Sequence, residues 1–240
     1  MSLGVGTFVL ALLVARYKQS KIQAIKHLRN MMLFVVMAVL IDFIVTTVHA
    51  SMPGAQKPID YIALGTHMSF TCNAISNIFL LFFIKVVFFN EGSKKGLDML
   101  TTLAVIEASI GPLLIMFFFV KVAEGTLVIL IVHAGAALTI YLIQAKNALK
   151  LRARIKGDEK RRFEAIGLVY ISASGILLFM AIVMFILHEI LLLVPFREYL
   201  TIMFGWLLGA VAAVAIYLGY TPPAWLRDRW MHGPGLDRPK

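Results

Sequence analysis

The chain has 240 residues, 60% of them hydrophobic and only 15% charged, which is more apolar side chain than a soluble core of this size buries and excludes an ordinary water-soluble domain. Its net charge of +10 comes from lysines and arginines that punctuate long apolar runs, so the expected partner is the lipid bilayer and not nucleic acid. The single cysteine, Cys72, excludes an internal disulfide framework and any CxxC thiol or zinc motif.

A helix needs about 20 apolar residues to cross a hydrocarbon core of about 30 Å with its backbone groups satisfied internally. Seven stretches qualify, at roughly 2–16, 31–50, 60–89, 98–121, 126–146, 164–195 and 198–220. The first has no basic residue before its apolar run and leads directly into Arg16, Tyr17 and Lys18. It is therefore expected to be an uncleaved helix with its N-terminus outside.

The second span carries Asp42, Thr46 and His49 at i, i+4 and i+7, a polar stripe from mid-membrane to the outer surface. It reads either as a proton or ligand path or as a hydrogen-bonded contact to a neighbouring helix. The third span is the most polar, with Thr66, Ser69, Asn73, Ser76 and Asn77 on one face. Lipid cannot satisfy these groups, so it should be the central helix. The fourth holds Glu107, at roughly the depth of Asn73, about 20 Å from the outer boundary by helical rise, a level at which the two could bond to one another. Pro112 should kink the fourth helix one turn further on.

The segment Lys146 to Arg162 is expected to extend helices five and six beyond the membrane around a Gly157-Asp158 turn. Glu189 lies near the outer end of the sixth span. Gly205 and Gly209 form a GxxxG close-packing element in the seventh, used either within the bundle or between protomers.

Placing the N-terminus outside puts 20 of the 23 lysines and arginines on the cytoplasmic side, leaving only Lys57, Lys121 and Arg197 outside. The expected fold is thus all-α: a polytopic seven-transmembrane-helix bundle over 1–220, N-out and C-in, with a cytoplasmic tail over 221–240. The expected location is the prokaryotic cytoplasmic membrane.

His67, His133 and His188 each fall seven or eight residues from a predicted outer helix end, about 10–12 Å down. Three helices would so deliver imidazole to one layer. Imidazole binds transition metals or the iron of haem b, with Glu189, Cys72 and His49 as further candidate ligands. The alternative is that the three histidines line an aqueous cavity or make ordinary hydrogen bonds. Walker, GxSxG, HExxH and DDxxD-like patterns are absent from the sequence, which removes the chemistries they carry. Helix number and orientation resemble microbial rhodopsins, but no lysine lies between Leu200 and Tyr220, so retinal is excluded as a Schiff-base cofactor. The last helix also lacks the HxxxH of the three-histidine zinc hydrolases of the ceramidase and adiponectin-receptor superfamily.

After Tyr220 two prolines, Pro222 and Pro223, end the seventh helix. Trp225, Leu226 and Trp230 follow among Arg227 and Arg229, as in an amphipathic interfacial anchor. The run Gly219-Tyr220-Thr221-Pro222-Pro223-Ala224-Trp225-Leu226-Arg227 resembles the membrane-to-cytosol junction of multi-helix N-terminal sensor regions in bacterial and archaeal signalling proteins, histidine kinases among them. The resemblance covers nine residues and implies a seven-helix sensor acting through a separate cytoplasmic signalling partner.

The leading expectation is therefore a sensor or receptor-like protein with an outward-opening cavity lined by His67, His133, His188 and Glu189. A haem- or metal-binding redox protein is the alternative. A proton-coupled small-solute transporter using Asp42 and Glu107 is the third reading, and a homo-oligomer or a subunit of a membrane complex is a further expectation.

Overall fold

The computed structural model describes residues 2–51, 61–89, 95–117, 122–158, 161–191 and 198–232. Among these the chain is helical, with no strand: α1 (Ser2–Ser20), α2 (Gln23–Ser51), α3 (Tyr61–Phe89), α4 (Lys95–Phe117), α5 (Val122–Ile155), α6 (Arg162–Leu191), α7 (Glu198–Tyr220) and α8 (Ala224–His232). Each of the first seven contains or largely overlaps one predicted span. Four stretches are long and apolar enough to cross a bilayer: Gln23–Val48, His67–Phe89, Arg162–Leu187 and Met203–Tyr220. They mark the chain as an integral membrane protein. The chain divides into two compact units, Met1–Ile140 and Tyr141–Lys240.

In the first unit α2 packs along α1 and α3, and α3 packs along α4. The polar helix α3 is thus flanked on two sides, as its amides and hydroxyls require. The α2 seam is read from Ala24, Leu28, Met31 and Ala38, spaced by four, three and seven residues and buried. Across the same interface Phe79 of α3 stacks on Phe34 of α2 at 5.8 Å between centroids, and Phe82 lies 5.4 Å from the His27 ring. Ser69 of α3 donates to the Ala38 carbonyl of α2 at 2.9 Å.

The α1–α2 corner turns on Lys21, whose φ of 54° is left-handed, and whose N–H bonds the Tyr17 carbonyl at 2.9 Å. This is an αL C-cap without the usual glycine. The Arg29 guanidinium lies 4.7 Å from the Tyr17 ring centroid, which ties the two helices by a cation–π contact. At the α3–α4 connection Lys85 meets Asp98 at 2.6 Å, with Asp98 in the first turn of α4 where the helix dipole favours an anion. The α4 helix continues through Pro112 to Phe117.

In the second unit α6 is packed against α7 and α8. A Cβ on Gly167 would collide with the Gly219 carbonyl oxygen, and one on Gly219 would stand 2.6 Å from the Gly167 carbonyl oxygen. Backbone therefore meets backbone where α6 crosses α7, the close approach that small residues allow in membrane helices. On the α5 side of α6, Gln144 is fully buried, and its amide donates to the Ile171 carbonyl at 3.0 Å and the Ser174 hydroxyl at 2.7 Å. α5 does extend past the predicted span 126–146, ending at Ile155 before the Lys156-Gly157 turn. Of the two glycines in the GxxxG element, Gly205 faces Phe185 of α6 within the unit, while Gly209 has no atom near its Cβ position.

Candidate functional site

A buried acid–imidazole cluster in the first unit is assembled from three helices. α4 supplies Glu107 and α5 supplies His133, both buried, and His133 Nδ1 is paired with Glu107 Oε1. From α3 the Phe70 ring stacks on the imidazole, centroids 5.2 Å apart and planes 27° apart. Stacking fixes the ring plane and the carboxylate fixes which nitrogen faces α4. His67 and Asn73, three residues to either side of Phe70, lie on the same side of α3; His67 is buried and Asn73 half-buried.

A buried carboxylate or imidazolium is costly unless paired, so each of these groups provides a reason for the other's presence. The pairing leaves two buried polar atoms, Glu107 Oε2 and His133 Nε2, with no hydrogen-bond partner among the described residues. An unengaged buried polar group of this kind costs about 1–3 kcal/mol. With Nδ1–H donating to the carboxylate, both open atoms are acceptors, so the cluster suits a proton, a cation or a hydrogen-bond donor.

The other predicted site residues fall as follows. Glu107 bonds His133, and a bond between it and Asn73, which helix depth allowed, is not formed among the described residues. Asp42 is half-buried on α2, and Thr46, one turn away, is exposed, so this part of the stripe lies at the margin of the packed helices. His49 on α2, and His188 and Glu189 on α6, have side chains outside the described residues, as does the predicted convergence of the three histidines. No group of three or more metal-ligating side chains gathers among the described residues.

In the second unit Trp225 is exposed and Trp230 is buried. Trp230 packs on α6 against Phe163 and Tyr170, at 5.9 and 5.1 Å between centroids. Of the two predicted anchoring tryptophans, this one is therefore held by protein. Sequence reasoning singled out neither Phe70 nor Gln144; a lone amide within the predicted fifth span was the available signal for the latter.

No protein-family model, curated protein or solved structure matches the chain.

Proposed function

We propose that this is a seven-helix membrane sensor or receptor-like protein, N-out and C-in, whose responsive element is the Glu107–His133 pair and whose output passes to a cytoplasmic signalling partner. The observation that supports this reading is the buried pair itself, which joins α4 to α5 and retains two open acceptor atoms. Binding of a proton or a donor ligand there changes the charge balance between two helices in a low-dielectric setting, where such a change weighs most. His67, Asn73, His188 and Glu189 extend the polar lining of the outward-facing cavity, with Asp42 and His49 on the adjoining stripe.

The test is hydrogen–deuterium exchange on the reconstituted full chain, following the Lys146–Arg162 segment while external pH is stepped. A pH-dependent change in protection that Glu107→Gln abolishes is expected. If wild-type and variant respond alike, the pair is not the responsive element.

One feature favours a second reading, a haem- or metal-binding redox protein. Metal-bound histidines commonly present one ring nitrogen to the ion and donate the other N–H to a carboxylate, and His133 has that disposition, with Nε2 open. An absorption spectrum over the visible range with elemental analysis, on protein purified without added metal, decides it. A Soret band or stoichiometric metal that His133→Ala removes supports this reading, and a colourless, metal-free protein rules it out.

A further inference from the structure

The C-terminal half of α5 has two faces, and burial separates them. Gln144, Ala148 and Ile155 are buried and fall together on one side of the helix. That side turns toward α6, whose Ile171 carbonyl and Ser174 hydroxyl accept from the Gln144 amide. On the opposite side Lys146, Lys150 and Arg154 follow at i, i+4 and i+8, and all three are exposed. Leu142, Leu149 and Ala153 run beside them, also exposed. Spacing within one continuous helix, Val122–Ile155, sets all of these positions.

The charge on this face has one sign. From Gly125 to Gly157 the sequence has no Asp or Glu, and Lys146, Lys150 and Arg154 make no ion pair among the described residues. Glu164, in the first turn of α6, is taken by Arg161. Like charges at i and i+4 destabilise a helix, a cost that an external anion removes.

The height of the row decides what that anion belongs to. Lys146 and Arg154 stand about 12 Å apart along the axis by helical rise, and even a tilt of about 40° leaves about 9 Å along the membrane normal. The headgroup layer of one leaflet is about 5–7 Å deep, so a lipid surface reaches one end of the row, whereas a helix lying alongside reaches all of it. Leu149, 46% exposed, and Ala153 add an apolar strip beside the charges, and an apolar strip with a charged rim is the composition of a protein–protein contact.

We propose that this face of α5 docks an amphipathic helix of a cytoplasmic protein, one that presents Asp or Glu at every fourth position beside a row of apolar side chains. The proposal rests on the sensor reading for the cytoplasmic placement of this end of α5, and it gives that reading's signalling partner a surface and a chemistry.

The probe is a fluorescein-labelled helical peptide with glutamate at every fourth position and leucines beside them, added to the full chain in a mild nonionic detergent, where both ends of α5 are accessible. Fluorescence anisotropy should report binding that weakens with salt, and Lys146→Gln/Lys150→Gln/Arg154→Gln should weaken it roughly tenfold or more. Leu149→Ser should weaken it as well. Arg16→Gln/Lys18→Gln/Lys95→Gln, an equal loss of charge on other helices, should leave it unchanged, and circular dichroism melts check that every variant folds. The proposal is overturned by absence of binding, by equal binding of a peptide of the same composition in scrambled order, or by equal losses in the two triple variants. Full displacement of the peptide by short-chain phosphatidylglycerol, but not by phosphatidylcholine, also overturns it, because anionic lipid is then the occupant. Failure of the sensor reading gives a different result: the peptide binds through the basic row with an affinity that Glu107→Gln alters at no pH, and the docking face stands.

Discussion

Glu107 and His133 are each a liability alone inside a membrane, and the structure makes each the remedy for the other. Removing one partner leaves a buried polar or charged group uncompensated, which costs about 3–5 kcal/mol, whereas exchanging both for apolar groups of similar volume is often close to neutral. Glu107→Leu and His133→Phe should therefore each destabilise strongly, while the double variant recovers most of the loss. A double-mutant cycle on detergent unfolding measures this, and additive losses would show that the two side chains do not interact. Both residues were legible in the sequence as intramembrane ionisable groups, but their pairing was not. The pairing depends on the rotation of α4 and α5 about their axes and on their axial offset, which spans of nearly uniform apolarity do not encode.

Among the elements, the crossing of α6 and α7 separates glycines that matter from glycines that do not. Gly167→Ala places a methyl group into the Gly219 carbonyl, and such overpacking costs about 1–3 kcal/mol as the helices are pushed apart. Gly209→Ala meets nothing within 4 Å and should gain about 0.5–1 kcal/mol from the better helix former. Thermal melts of the two variants should therefore move in opposite directions. The GxxxG pattern drew attention to Gly205 and Gly209, while the tightest backbone contact involves Gly167 and Gly219, which lie on different helices and share no sequence pattern. Lys21 provides a complementary prediction at the α1–α2 corner. Its left-handed backbone is strained for a residue with a Cβ, so Lys21→Gly should stabilise the fold by roughly 1 kcal/mol. Unchanged or lowered stability would mean that the lysine side chain, 5.6 Å from the Tyr17 ring centroid, contributes more than the strain costs.

For the whole molecule, hydropathy and charge were sufficient to locate the helices, because a bilayer imposes length and backbone satisfaction on each span separately. What each helix turns toward its neighbours depends on rotation about its axis, which a sequence of nearly uniform apolarity hardly encodes. The asymmetry of lysine and arginine makes a definite prediction about orientation. In a Cys72→Ser background, Lys57→Cys should react with a membrane-impermeant maleimide in intact cells, and Lys150→Cys only after permeabilisation. The reverse pattern would invert the proposed topology. The same asymmetry gives mechanical significance to α5, which runs 34 residues without interruption. At 1.5 Å per residue it is about 50 Å long, roughly 20 Å more than a hydrocarbon core is thick, and in the proposed seven-span topology the excess carries the basic segment into the aqueous phase. In the proposed sensor an extension of that length works as a lever arm: a tilt of about 10° about the membrane surface swings its far end by roughly 3–4 Å, a displacement large enough for another protein to detect.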